Sequence, residues 1–271
     1  MLTRPLVPTA PGSKTNTFVM TKIRLDQALV QRGLVSTRSQ AETYIKLGQV
    51  TVNEQVVSKP NYQVAIDDKV SLTASEQYVS RAGLKLASVA SELGLDFRGK
   101  VVLDVGSSTG GFTDYALRRG ARRVIAVDVG TNQLHPNLRT DGQIELHEQT
   151  DIRNFTTTEP IDMVVADVSF VSLREILPSV SKLCSSQTQI VAMVKPQFEV
   201  HAGQDRGAAQ NNLKHKGVIK NDHMRRDILK AFEGWTNQQF IIIAKADSKV
   251  AGEKGNMERF YLLRKASHGQ S

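Results

Sequence analysis

The sequence predicts an α/β protein in two parts: a small α+β unit in front and a larger domain on a parallel sheet. Three observations predict it. Residues 99–119, GKVVLDVGSSTGGFTDYALRR, pass from an apolar strand through a glycine-rich turn into an amphipathic helix, which is the repeating unit of an α/β sheet. Successive apolar runs end in aspartates, at Asp104, Asp128 and Asp167. Ahead of them, two helical patterns lead into β-prone runs separated by Asn53-Glu54, a hairpin signal.

Composition bounds the function. The 271 residues, 40% hydrophobic and 23% charged, make an ordinary globular chain of one large or two modest domains. A net charge of +8 favours a polyanionic partner, nucleic acid before anionic membrane. Cys184 is the only cysteine, which excludes an intrachain disulfide framework and a thiolate metal cluster. The six histidines show no HxxxH or HxH spacing, so no metal is expected. No apolar stretch approaches the length of a membrane span, so integral membrane association is not expected. Residues 1–20 read as a disordered leader rather than a secretory signal, and the expected compartment is the cytoplasm.

The front unit spans 21–73. In TKIRLDQALVQRGL, Leu25, Ala28 and Leu29 recur at helical spacing and Gly33 stops the helix. Ser36 is placed to cap a second helix whose apolar face is Ala41, Tyr44 and Ile45, with Gly48 at its end. QVTVNEQVV then forms the hairpin, and YQVAIDDKVSL returns to strand character. Residues 21–50 hold five basic and two acidic side chains. Lys22, Arg24, Arg32, Arg38 and Lys46 are the expected RNA-binding residues, contacting phosphates without reading sequence. The order of features, with Arg24, Leu25, Asp26, Arg32, Gly33, Arg38, Ala41, Ile45, Gly48, Val50, Val52 and Asn53 in place, resembles the small RNA-binding domain of a small-subunit ribosomal protein and of pseudouridine synthases. Glu54 stands where that pattern often has glycine.

A linker is expected at 74–84, the large domain at 85–265 and a flexible tail at 266–271. The spacing G-x-x-x-G-G at Gly106, Gly110 and Gly111 is neither a dinucleotide fingerprint nor a P-loop. Asp104, just before it, would repel a diphosphate and suits a cationic or hydroxyl-rich ligand. Asp128, ending RRVIAVDVG, suits the ribose hydroxyls of an adenosine cofactor. QIELHEQ and PIDMVVADVSF supply the next strands, the latter ending near Asp167. Ligands of such sheets bind beyond the carboxyl ends of the strands. The run IVAMV, 190–194, stops at Lys195-Pro196, which sets Lys195 beside Asp167 at the same sheet edge. Lys85 is expected at a helix start, pointing away from packed Leu84, Leu86 and Val89, and Glu258 at the start of a final strand. The polar stretch after Val200 reads as a long loop over the site, leading into a helix at 219–234.

DVGSSTGGFTD resembles the first motif of S-adenosylmethionine-dependent methyltransferases. That likeness implies a seven-stranded Rossmann-like domain and a cofactor site of Asp104, Gly106, Ser107, Gly110, Gly111 and Phe112, with Asp128 and Val129 at the ribose and Asp151 and Ile152 at the adenine. Lys85, Asp167, Lys195 and Glu258, in that order, resemble the tetrad of the FtsJ-like ribose 2′-O-methyltransferases. The blocks SRAGLKL, DVGSSTGGFTD, ADVSFVSL, MVKPQFE and GNMER are similar to the TlyA family within that group, some members of which carry a haemolysin name. Asn132 departs from a glycine common in that family. The resemblance implies methyl transfer from S-adenosyl-L-methionine to a ribose 2′-OH of structured RNA, with ribosomal RNA or ribosomal subunits as partner. Lys195 would accept the proton or stabilise the alkoxide, which as a base requires a pKa below the model value of about 10.4. Neighbouring Lys85 and partial burial would lower it. Asp167 and Glu258 would orient the lysines. A non-catalytic ribosome-assembly factor and a membrane-active haemolysin are the alternatives. The intact tetrad and cofactor loop argue against the first, and the lack of a transmembrane or membrane-surface amphipathic segment against direct pore formation by the second.

Overall fold

The computed structural model describes residues 22–74, 77–200, 219, 221–252 and 255–266. The expected leader, the loop at 201–218 and residues 267–271 of the tail lie outside these. The chain divides into two units, Met1–Ala74 and Ser75–Ser271.

In the front unit β1 (Ile23–Arg24) leads into α1 (Leu25–Gln31), followed by α2 (Arg38–Lys46). The helices bury the predicted stripes, Leu25, Ala28 and Leu29 on one and Ala41, Tyr44 and Ile45 on the other. The cap of α2 is Thr37, one residue after the expected Ser36. Its side chain accepts the Gln40 N–H, and the Gln40 side chain reaches back to the Ser36 N–H. The reciprocal T-x-x-Q box fixes the helix start where a single serine could not. Then β2 (Val50–Val52) pairs antiparallel with β3 (Gln55–Val56), β4 (Gln63–Val64) pairs with β1, and β5 (Val70–Leu72) pairs with β2. The two-residue turn has Asn53 at φ 49° and Glu54 at φ 69°, as a type I′ hairpin requires. The Asn53 side chain donates to Asp68 and accepts from the Lys69 N–H, so the turn keeps its form without glycine.

The large unit opens with α3 (Arg81–Ala90). Residues 81–84, expected as linker, are therefore helix, and Lys85 lies mid-helix rather than at its start. Elements then alternate: β6 (Val101–Val105), α4 (Gly111–Arg118), β7 (Arg123–Val127), α5 (Pro136–Arg139), β8 (Ile144–His147), β9 (Ile161–Ala166), α6 (Leu173–Leu183), β10 (Cys184–Val194) and the single turn α7 (Pro196–Glu199). The next helix, α8, spans Asp222–Thr236, starting and ending later than the expected 219–234, because Asn221 caps it through the His223 and Met224 N–H groups. Two strands, β11 (Phe240–Asp247) and β12 (Arg259–Lys265), complete a seven-stranded sheet ordered β11-β12-β10-β9-β6-β7-β8, in which β12 runs against the direction of the other six. Continuous apolar runs suit strands covered on both faces. One face packs α6 and α8 through Leu173, Ile176, Leu177, Leu229 and Phe232. On the other, Phe112 of α4 meets Phe260 of β12. The chain goes outward from β6 to β8 and returns to β9 on the opposite side of β6. The crevice beyond the carboxyl ends of β6 and β9 is thus the topological switch point where such sheets bind ligands.

Candidate active site

A cavity of about 470 Å³ opens at that switch point, lined by Gly106, Asp128, Val129, Asp151, Ile152 and Asp167 among others. Its size is that of a cofactor site. Gly106 has φ 81°, and a Cβ there would stand 2.7 Å from the Asp167 carbonyl oxygen. Only glycine lets the loop after β6 pass this close to the tip of β9. The Asp128 carboxylate ties the first two loops together, accepting the Ser108 N–H at 2.8 Å and the Gly130 N–H at 2.6 Å. Asn132 follows at φ 55°, a left-handed conformation that asparagine tolerates better than most residues. Asp151 is gripped by Arg153 through its side chain and backbone N–H, which hold its carboxyl below the usual range.

A second, smaller recess joins Asp104, Gly106, Ser107, Phe112, Asp167 and Lys195. Asp104 is buried, and Thr113 Oγ1 donates to its Oδ2 at 2.6 Å. Its Oδ1 is buried without a hydrogen-bond partner among the described residues. Burial pushes this carboxyl up to about 7, the Asp167 and Asp128 charges adding to the effect and the Thr113 bond opposing it. An orphaned buried carboxylate oxygen fits a ligand bearing an ammonium or sulfonium group. Gly110 and Gly111 line neither cavity. They build the start of α4, and a Cβ on Gly111 would lie 2.8 Å from the Ala82 Cβ and from the Gly83 nitrogen, so Gly111 serves the approach of α3 to α4.

The tetrad comes together as two lysine–carboxylate pairs. Lys195 Nζ lies 2.5 Å from Asp167 Oδ1, and Lys85 Nζ lies 2.5 Å from Glu258 Oε2. Four elements supply them: α3, the end of β9, the end of β10 and the turn before β12. Lys85 does not point away from the core as expected. It is buried, because its ammonium meets an equally buried carboxylate. Lys195 also donates to Ser169 Oγ at 2.7 Å, a partner the sequence signalled only as part of ADVSFVSL. Both lysines, Ser169, Phe170, Phe198 and Glu258 line a further cavity of about 280 Å³. Phe170 is 85% exposed at φ 68°, with its ring centroid 5.4 Å from that of Phe198. An exposed aromatic in the left-handed region is strained backbone held at a site edge. Behind it, the buried Glu199 accepts from Ser172 Oγ and the Leu173 N–H, clamping the 167–172 turn to α7.

In the front unit the basic residues divide by role. Asp26 is fully buried and binds Arg24 at 2.9 Å and Arg38 at 2.8 Å. Burial would raise its carboxyl, but the two guanidiniums hold it below the usual range. Arg32 donates to the carbonyls of Ala65, Ile66 and Asp68, fastening α1 to the turn before β5. Lys22 and Lys46 are exposed, with Lys46 3.9 Å from Glu42.

Similarity to known proteins follows this geometry. An FtsJ-like methyltransferase model matches residues 78–266 and an S4 domain model residues 23–70. The 16S/23S rRNA (cytidine-2′-O)-methyltransferase TlyA of Mycobacterium tuberculosis is 35% identical, over 90% of this chain and 90% of the relative. Hemolysin A of Brachyspira hyodysenteriae is 35% identical, over 87% of this chain and 97% of its own. A solved, hemolysin-named structure from Streptococcus thermophilus is 32% identical and superposes with a TM-score of 0.63, covering 92% of this chain and 90% of its own. The chain belongs to the FtsJ-like methyltransferases and, within them, to the TlyA family, with an S4 domain ahead of the methyltransferase domain. Among the described residues no helix is long and apolar enough to cross a membrane.

Proposed function

We propose that the protein transfers a methyl group from S-adenosyl-L-methionine to the 2′-hydroxyl of a cytidine in ribosomal RNA, acting in the cytoplasm on ribosomal subunits. The observation that carries this reading is the convergence of Lys85–Glu258 and Lys195–Asp167 beside the cofactor-sized cavity. The relatives named as rRNA (cytidine-2′-O)-methyltransferases support the acceptor. Asp104 and Asp128 would hold the cofactor by its cationic end and its ribose, Ser107 and Phe112 would wall the smaller recess, and Val129, Asp151 and Ile152 would frame the adenine. The cofactor supplies an activated methyl group on a sulfonium. Lys195 faces the departing proton of the 2′-hydroxyl: as an amine it takes that proton, and as an ammonium it holds the oxygen left behind. Asp167 and Ser169 aim the lysine at that point, which fixes the attacking oxygen in line and contributes to rate by orientation. Lys85, neutralised by Glu258, holds the other side of the ribose. The S4 unit binds RNA backbone through Lys22 and Lys46, with Arg24 and Arg38 set side by side on Asp26.

The test is transfer of labelled methyl to ribosomal subunits, with Lys195→Met in parallel. The expected outcome is label in alkali-resistant 2′-O-methylcytidine and a loss of about 10²-fold or more in the variant, with cofactor binding retained. Normal turnover by Lys195→Met would sink both roles given to this lysine. A single-turnover rate that climbs tenfold per pH unit below the lysine's titration assigns proton acceptance. A flat profile assigns charge stabilisation.

A further inference from the structure

Gln197 is the second residue of α7, two positions after Lys195. It lines the 280 Å³ cavity that holds Lys85, Lys195, Phe170 and Phe198. Its side-chain Oε1 is buried and has no hydrogen-bond partner among the described residues. Buried side-chain acceptors without a donor are uncommon in folded proteins. One on the wall of a ligand cavity is a place for a ligand to donate.

The chemistry of the acceptor nucleotide says what donates. The base hangs from the ribose carbon next to the one bearing the 2′-hydroxyl. A group that touches the base must therefore share a cavity with the group that touches that hydroxyl, as Gln197 does with Lys195. Bases taken out of a stack are held between aromatic rings and bonded on their Watson–Crick edges. Phe170 and Phe198, whose rings pack against each other, offer an aromatic wall at the same cavity on which a base can stack from one side. Cytosine presents an amino group on that edge, whereas uracil presents a carbonyl oxygen at the same position. With its oxygen toward the base, the amide accepts from the first and opposes the second.

We propose that Gln197 is the residue that selects the base, its buried amide oxygen accepting a hydrogen bond from the exocyclic amine of cytosine while Phe170 and Phe198 wall the ring. The proposal rests on the methyl-transfer reading above and adds the residue that discriminates within it. Gln197 takes no part in the proton transfer. It acts on which nucleotide is presented to Lys195.

The experiment uses the full-length protein and ribosomal subunits that carry either cytidine or uridine at the mapped position. Single-turnover kcat/KM is measured on both, with cofactor affinity determined separately. The wild-type protein is expected to prefer cytidine by roughly ten- to a hundredfold, as one hydrogen bond to a buried group allows. Gln197→Met removes the acceptor, and the preference collapses while cofactor affinity holds. Gln197→Glu keeps an oxygen there whichever way the amide is turned, and the preference survives. Gln197→Met with the full wild-type preference overturns the proposal and leaves the methyl-transfer reading standing. Loss of preference in Gln197→Glu with intact cofactor binding overturns it too. A wild-type protein that methylates no ribosomal subunit overturns the reading beneath, and the proposal with it.

Discussion

Asp104 shows how much one buried carboxyl can decide. Burial first, then the nearby Asp167 and Asp128 charges, raise it to about 7 against the opposing hydrogen bonds of Thr113. With the folded-state value above the unfolded one of about 3.9, the fold favours the protonated form. The stability this group contributes is present below pH about 4 and is lost as pH rises through about 7. A cationic ligand reverses the preference, because it needs the carboxylate. Affinity for S-adenosyl-L-methionine is therefore expected to rise between pH 6 and 8, and Asp104→Asn to weaken binding and flatten that dependence. Calorimetric titrations across this range check it, and an unchanged pH dependence in Asp104→Asn would remove Asp104 from the cofactor site.

The β2–β3 hairpin is the element where local preference and tertiary demand disagree. A type I′ turn asks for positive φ at both central residues, and Glu54 supplies it at φ 69° against its own sterics. Its ion pair with Lys69 at 3.5 Å joins two exposed side chains and is worth little. Removing left-handed strain is worth about 1 kcal/mol, so strain wins. Glu54→Gly is expected to stabilise the front unit by about that amount, read from denaturant midpoints. A lower midpoint would mean that the Lys69 pair outweighs the turn. The active-site elements show the opposite case, in which strain is kept. Phe170 stays left-handed because Glu199 clamps the turn behind it through Ser172 and Leu173.

On the scale of the whole molecule, the net charge of +8 and the basic S4 helices make RNA affinity a matter of counterion release. Not all the basic residues are free for phosphates. Arg24 and Arg38 balance the buried Asp26, and removing either would leave its carboxylate with one guanidinium instead of two. Lys22 and Lys46 carry no such duty. Alanine at both is expected to lower the slope of log affinity against log salt by roughly 0.7–0.9 per residue, without changing the single-turnover rate at saturating subunits. An unaltered slope would place the RNA contacts elsewhere on the protein.

The strand-tip aspartates, the place of Lys195 next to Asp167 and the character of the front unit were legible in the order of residues alone. Each follows from short-range patterns: an apolar run bounded by a breaker, a glycine-rich turn before a helix, a basic helix pair before a hairpin. Parallel strands then bring their tips to one edge without further information. Only the tertiary structure decided that Lys85 is buried against Glu258, that Ser169 shares Lys195, that Thr113 bonds Asp104 and that Asp26 binds two of the expected RNA-binding arginines. It also decided that Gly111 serves helix packing rather than the cavity lining, and that Thr37 rather than Ser36 caps α2. These contacts depend on how closely one element approaches another and on the direction each side chain takes there. A linear pattern carries the residues for such contacts but not the distances.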